Sequence, residues 1–513
     1  MAAMGKRWVA FGLGLAGSLA AVAAVAQQVN STASEQSLRR ARAVLDAGIE
    51  ALGGPQVLEK SRRITLKEVG HSLNAYQSAN PEPPYSKTAY EEVTVIDYKD
   101  GRLFNEQKSA FPGIVVWNRT IIDGQNGYNL DMRAKTAVAI ADPSIAANRA
   151  IVRKLPHLLL REARNRVDTL RWVGEDDFGG KKQQVITYAR DDGRQLALYF
   201  DAQTRLLTKS DFLYTDPAVG DSRSEFVYPG YREVEGVKVP TGRSFYNAGE
   251  PIQTTEYTQV QFGQAVSDAQ VAIPANFNKA PAPTPDGEKL TQLGDGVYLL
   301  ENAALNYNTL FVAFEEYVLV VDAPEPLPYS AHTSRVIERI KKTVPGKPIQ
   351  YLVLTHHHAD HTGGVRTYIA EGTTVVTTPG NRGAIEKLMA GRYTIAPDEF
   401  ARKPQPLKLE TIEGKKRVFR DGKRIVEFYD IGPNPHAQEM VVAWLPKEKI
   451  LFQADLINVN AGGTVPPAQE ATISLAQRLA QLGITPERIA CVHGRTITAQ
   501  ELRASLVQAR DDG

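Results

Sequence analysis

The 513-residue chain has a single cysteine, Cys491. No disulfide can form within it, so stability has to come from buried core and from any metal it holds. An excess of charge of one sign is also missing. The formal balance is +2, from 60 basic and 58 acidic residues, and Lys6 and Arg7 supply that whole excess. Gripping a nucleic-acid backbone usually takes a basic surplus, so no nucleic-acid partner is expected. Long apolar runs are confined to one place, Trp8 to Val25, and no later segment could span a membrane. That run follows Lys6-Arg7 and ends in the small-x-small triplet Ala24-Val25-Ala26, the layout of a secretory signal peptide over residues 1–26. A membrane anchor is the competing reading, and the Ala/Gly richness and the Ala-x-Ala ending favour cleavage after Ala26. No cysteine follows that point to carry a lipid. The mature chain is expected to be exported to the periplasm, with no stable membrane span.

What is present is ordinary globular material. At 42% hydrophobic and 23% charged residues, the chain can fill large cores, and its length suggests two or three domains. "SLRRARAVLDAGIEALGG" places Leu38, Ala41, Leu45, Ile49 and Leu52 at helical spacing and stops at Gly53-Gly54. From there to Phe277 short strands and turns dominate, with hairpins expected around Asp201–Thr204 and Glu235-Gly236 and a second helix near Ile151 to Ala163. Residues 35–277 thus read as a mainly antiparallel β domain. "NKAPAPTPDGEKL" is rich in Pro, Ala and Gly, and residues 278–289 read as a linker. Strands and helices then alternate through residues 290–513, which argues for an α/β domain.

The chain has nine histidines, and four of them fall in "LVLTHHHADHTGGV". The apolar strand delivers His356, His357, His358, Asp360 and His361 to its C-terminal end, where α/β sheets hold their sites. His356 and His358 are two apart and point the same way in an extended segment, while His357 points away. Asp360 and His361, in the following turn, can face a second point nearby. Imidazole with carboxylate suits zinc or another borderline divalent metal. Three more candidates stand at strand ends downstream: His436 in "DIGPNPHAQEM", Asp455 closing "KILFQAD", and His493 in "RIACVHGR".

"THHHADHTGG" resembles the His-x-His-x-Asp-His signature of the metallo-β-lactamase superfamily and matches it in full, including the two glycines; the resemblance runs from about Gly287 to Gly513. It implies an αββα sandwich with metals at one edge of two facing sheets. Carried over by position, it implies one zinc on His356, His358 and His436, a second on Asp360, His361 and His493, and Asp455 between them. Asp360 would also orient the attacking water, and Asp322 would orient a ligand from behind. Cys491 matches no ligand position and reads as a small buried residue. One departure stands out: where the family often has a small hydroxyl residue and a glycine after the third histidine, this chain has Ala437-Gln438-Glu439. His358, in a position where iron-dependent redox members tend to have glutamate, favours zinc hydrolysis.

The first half resembles outer-membrane lipoprotein-carrier proteins in pattern, in "GKKQQVITYARDDGRQLALYFDAQTRLLTKSDFLY" and "YREVEGVKVPTGRSFY". That implies a curved antiparallel sheet around a helix, able to recruit a hydrophobic substrate or to act as scaffold. Its aromatics Tyr199, Phe200, Tyr228 and Tyr231 are expected in the core. The leading expectation is an exported dinuclear zinc hydrolase acting on a lactone, ester, thioester or lactam, with a small-molecule substrate that could be acylated or hydrophobic. The alternatives are a β-lactamase proper, or a hydrophobic-ligand-binding protein whose metal domain is structural or vestigial.

Overall fold

A computed structural model describes residues 32–73, 75–142, 153–282, 287–304, 307–325, 332–460 and 463–511. The segment read as a signal peptide lies outside them. Among the described residues no helix is long and apolar enough to cross a membrane.

The helical spacing of the first segment produces helix α1, Ala33–Leu52. Thr32 caps it in a reciprocal capping box with Glu35, and Gly53, at φ 127°, ends it. Ala41, Leu45, Ile49 and Leu52 are buried on one stripe. They share a core with the second helix, α2, Pro156–Asn165, and with one face of a 14-stranded sheet. Phe200 and Tyr228 are in that core, as expected, whereas Tyr199 and Tyr231 are only partly buried. Both expected hairpins form, Gln195–Asp201 with Leu207–Asp216 and Tyr231–Val234 with Val237–Pro240. Asn278–Ala280, at the start of the segment read as a linker, adds a parallel strand to this sheet.

Six strands lie side by side in this sheet: β1, Arg63–Ser72; β2, Thr88–Asp97; β3, Arg102–Phe111; β4, Ile114–Asp123; β5, Asn126–Asp131; and β6, Thr136–Ala139. Because side chains alternate between faces and the registers are known, each row across the sheet can be read directly. The row under the helices is Ile64, Ile96, Leu103, Ile122. Two residues along each strand, the row becomes Leu66, Thr94, Asn105, Thr120, Asn129. Two further on it is Glu68, Glu92, Gln107, Asn118, Asp131. One face therefore runs from apolar to polar.

Where this face is both polar and buried it carries a charge network. Lys154 Nζ lies 3.1 Å from Glu68 and 2.5 Å from Glu92, and Arg243 lies 2.8 Å from Glu68. Burial pushes the Glu68 carboxyl up, but Lys154 and Arg243 outweigh it and hold it down to about 2. Stability from this carboxylate is present above the usual glutamate range and is lost as pH falls toward 2. Glu68→Gln leaves two buried cations short of a counter-charge. It is expected to destabilise the chain by about 3–5 kcal/mol, read as a lower urea midpoint at unchanged slope at pH 7. An unchanged midpoint would show that the network is not under tension.

The C-terminal half builds two sheets. The first has seven strands ordered Lys289–Gly294, Val297–Ala304, Tyr307–Ala313, Val318–Val321, Ile349–Val353, Thr374–Thr377, Lys408–Thr411. The second has six, from Lys416–Arg420 to Ile497–Thr498. Alternation splits the first sheet cleanly. Leu319, Val321, Val353 and Val376 join the core with Phe428, Val442 and Leu451 of the second sheet. Val318, Val320, Leu352 and Val375 pack outward against helices His332–Thr343 and Val365–Ala370. The chain is thus mixed α/β, a large β domain followed by a sandwich of two sheets with flanking helices, as expected.

The halves interlock. Gly220, at φ 84°, pairs with Arg392, and a Cβ there would lie 2.1 Å from the Arg392 carbonyl oxygen. Asp221 accepts the backbone N–H groups of Thr394 and Ile395. Near β4, Ala471 N–H donates to Gly113 O, and Arg133 donates to Pro467 O.

Candidate metal centre

Parallel strand pairs deliver the site. Val318–Val321 and Ile349–Val353 run parallel in the first sheet and end at Asp322 and at Thr355-His356. Ile450–Gln453 and Arg488–Cys491 run parallel in the second and end at Asp455 and His493. The four C-terminal ends meet, as loops at such ends do. Ile425–Asp430 leads into the Pro-rich loop that carries His436.

Two groups of donors result: His356, His358, His436 and Asp455, and Asp360, His361, Asp455 and His493, the atoms of each lying within 4.8 Å of one another. Asp455 belongs to both. Its Oδ2 is 3.3 Å from His356 Nε2, 3.1 Å from His436 Nε2 and 3.0 Å from His361 Nε2. Its Oδ1 is 2.9 Å from His493 Nε2. The structure therefore brings together all seven residues read from the sequence as ligands. His357 is in neither group, and Cys491 is fully buried with its thiol pushed up to about 12 by that burial.

The other ring nitrogens show which ends are lone pairs. His361 Nδ1 donates to Asp322 Oδ2 at 2.9 Å. Asp322 also accepts Thr355 N–H and Thr355 Oγ1–H, and Thr355 Oγ1 in turn meets His356 Nδ1 at 3.1 Å. Asp322 is fully buried at φ 61°, a conformation that costs about 1 kcal/mol or more and persists only where its surroundings enforce it. The remaining outer partners come from the first half of the chain. His358 Nε2 donates to Ser78 O at 2.9 Å, as does His357 Nε2, and His436 Nδ1 donates to Pro112 O at 3.2 Å. With the outer nitrogens so engaged, His358 Nδ1 and His436 Nε2 face each other at 3.2 Å, and the buried His356 Nε2 lacks a hydrogen-bond partner. Converging bare nitrogens around a carboxylate fit a divalent cation.

Asp360 is held from two sides. Gln77 Nε2 donates to its Oδ1 at 2.5 Å and the Tyr307 hydroxyl to its Oδ2 at 3.0 Å. The Tyr307 ring also packs edge-on at 4.4 Å against His493. Burial, with Asp360 adding to it, pushes the Tyr307 hydroxyl well up and keeps it a donor. Burial holds His356 down to about 3, with His361 contributing, and His358 lies well below the usual histidine range for the same reason. Burial also opposes charge on His493, but Asp455 and Asp360 outweigh it and raise it to about 9. A cation entering at His361 and His493 therefore displaces protons, whereas His356 and His358 already offer neutral nitrogens.

Gln77, Ser78, Pro112 and Tyr307 carry no motif, and three of them lie far from the ligands in sequence. Ala437-Gln438-Glu439, the departure after His436, is locked in place. Asn434 Oδ1 accepts His436 N–H and Ala437 N–H, Gln438 N–H donates to Ala79 O, and Glu439 accepts Gly380 N–H.

Residues 303–493 match the family model described as the metallo-beta-lactamase superfamily, and this part of the chain is a domain of that superfamily. Similar solved structures include the DIM-1 metallo-beta-lactamase, at 18% identity, covering 44% of this chain and 98% of that one with a TM-score of 0.33. A metallo-beta-lactamase from Pontibacter korlensis is 22% identical, covering 44% and 99%, TM-score 0.31. The FIM-1 enzyme from Pseudomonas aeruginosa in its mono-zinc form is 22% identical, covering 44% and 96%, TM-score 0.32.

Proposed function

We propose that the protein is an exported hydrolase of carbonyl compounds that works with two zinc ions. The observation that carries this reading is the pair of four-donor groups sharing Asp455. The donors are imidazole and carboxylate without sulfur, a set that suits zinc. His356, His358 and His436 would hold one ion and Asp360, His361 and His493 the other, with Asp455 common to both. When bound, such a pair supplies Lewis acidity toward a carbonyl oxygen and brings the pKa of water near neutrality.

The chain's own residues do the rest. Asp360, fixed by Gln77 and Tyr307, can orient an attacking water and accept its proton. Asp322, Thr355, Ser78 O and Pro112 O keep the histidines in the tautomer that turns their lone pairs inward. The segment Tyr76–Ala79 lies against the histidine loop, with Ala359 N–H bonded to Tyr76 O, and limits water at that side.

The test is metal content of the purified chain together with a screen of lactam, lactone, ester and thioester substrates. Two zinc ions per chain are expected, with turnover lost on chelation and regained with zinc. A chain that holds no metal tightly and hydrolyses these bonds equally well in chelator would overturn the proposal.

A further inference from the structure

Between the sheet of the first half and the hydrolase domain lies a chamber of about 850 Å³. Its sheet wall consists of the polar rows of β3, β4 and β5: Asn105, Thr120 and Asn129, then Gln107, Asn118 and Asp131. Thr136, paired with Asp131 on the next strand, continues the wall. It is 1% exposed, and its hydroxyl has no hydrogen-bond partner. The opposite face of the same strands carries a small apolar cluster beside the Arg119–Glu106 ion pair. Ile121, Leu130 and Ala137 are covered there by Val271, Ile273 and Phe277. The sheet thus turns the six polar side chains of β3, β4 and β5 toward the chamber, with Val138 and Ala280 beside them.

The chamber adjoins the metal centre. Asn118 and Asp131 also line a smaller cavity of about 110 Å³ whose wall includes Asp455. On the hydrolase side the chamber is bounded by Asn308, which follows Tyr307, and by Gly494, which follows His493. Gly494 is at φ 79°, and a Cβ there would meet the Val459 carbonyl oxygen at 2.1 Å, so the backbone is the wall at that point.

The charges of the chamber are spoken for. Asp131 accepts the backbone N–H groups of Arg133 and Ala134 and the Asn460 amide. Arg495 is bound to Glu501 and Gly463 O, and Lys289 pairs with Glu301. What is left to meet a ligand is uncharged: the amides of Gln107 and Asn118 and the Thr136 hydroxyl, each able to donate and accept, beside the apolar Val138, Ala280, Pro281 and Ala282. An acyl chain laid here would strand these groups at about 1–3 kcal/mol each. An anion would find Arg495 already bound and only the mostly exposed Lys289, 3.4 Å from Glu301, to meet. A peptide would find the ladders of β3, β4 and β5 complete and only the edge strands Asn278–Ala280 and Lys289–Gly294, which touch the chamber at Ala280 and Lys289, left to pair with. Hydroxyl groups, each donor and acceptor on one atom, match amide rows spaced about 4.8 Å apart across the strands.

We propose that this chamber binds an uncharged sugar, and that the substrate is an ester of a carbohydrate with its acyl carbonyl at the metal centre. The proposal rests on the hydrolase reading for its second part. In the reaction, water oxygen bonds to the carbonyl carbon and the acyl C–O bond breaks. The electron pair leaves on the sugar oxygen, which takes up a proton, and the acid carries the water oxygen.

Two measurements separate the parts. Calorimetric binding of hexamers of xylose, glucose and N-acetylglucosamine, with palmitate as comparison, tests the chamber without any chemistry. Wild-type chain is expected to bind at least one oligosaccharide below millimolar concentration and to prefer it to palmitate. Gln107→Leu/Asn118→Leu and, separately, the near-isosteric Thr136→Val are expected to weaken that binding about tenfold at unchanged circular dichroism. Hydrolysis of acetylated xylo-oligosaccharide against 4-nitrophenyl acetate tests the second part. The double variant should lose about tenfold in kcat/KM on the first and nothing on the second. Sugar binding with no turnover of either ester would leave the chamber standing and overturn the carbohydrate-ester substrate. No binding of any hexamer, binding unaffected by all the variants, or preference for palmitate would overturn the sugar site itself.

Discussion

Asp455→Ala is expected to reduce turnover by about 10³-fold or more and to leave the chain with less than one zinc. Among the described residues Asp455 is the only donor common to both groups, and four histidine nitrogens lie within 3.3 Å of its oxygens. Without it, His358 faces His436 at 3.2 Å with no carboxylate between them, and His361 and His493, 3.4 Å apart, keep only Asp360, at 3.5 Å from each. Loss of a single preorganised electrostatic group in an active site costs about 10²–10³-fold, and this one is also shared by both donor groups. Asp455→Asn keeps the shape and removes the charge, so it should resemble alanine rather than wild type. Metal content by mass spectrometry and kcat/KM on any substrate found by screening are the readouts. Two retained zinc ions with activity within about tenfold of wild type would rule out a shared-carboxylate centre.

Deleting Gln77 and Ser78 together is expected to weaken zinc binding about 10–100-fold, although neither residue belongs to the hydrolase domain. The deletion removes the carbonyl that fixes His358 and the amide that fixes Asp360, one residue from each donor group. Outer partners of metal ligands act on this scale when lost. The loop lies on the surface of the hydrolase half, so far-ultraviolet circular dichroism should not change. A competition titration with a chromogenic chelator measures the affinity. If affinity and turnover both match wild type, the loop only covers the site. Gln77→Ala alone, which spares the carbonyl, should lower kcat more than zinc affinity.

The seven donors were legible because the chemistry concentrates them. "THHHADH" crowds four candidates into one turn, and His436, Asp455 and His493 each stand where an apolar strand runs out. Helix α1 and the hairpins were legible for the same kind of reason, a period or a turn residue in a short window. The outer partners were not. Ser78 and Pro112 act through backbone carbonyls, and any residue type offers one of those. Gln77 acts from a loop whose place over Asp360 is set by how the two halves dock, and Tyr307 begins a strand where a tyrosine reads as ordinary sheet packing. The alternation Asn105-x-Gln107, Asn118-x-Thr120, Asn129-x-Asp131 was visible in the sequence, but on an antiparallel strand such a row reads as the face turned to water. Only the docked hydrolase domain makes it the wall of a chamber. The apolar row of the same strands, Ile64, Ile96, Leu103 and Ile122, points to a single-natured inner face, and the charge network at Glu68 shows that the face changes character along its length.

The carbonyls of Ser78 and Pro112 have a consequence for how such a chain can diverge. A side chain that orients a ligand is exposed to every mutation of its codon. A peptide oxygen is not, and it stays in place as long as the backbone path does. Ser78 and Pro112 can therefore change in composition while the centre keeps these outer contacts, but their loops cannot be lengthened or shortened. The two halves are bound to be inherited together, and a hydrolase domain spliced onto a different partner would need to find new oxygens for His358 and His436.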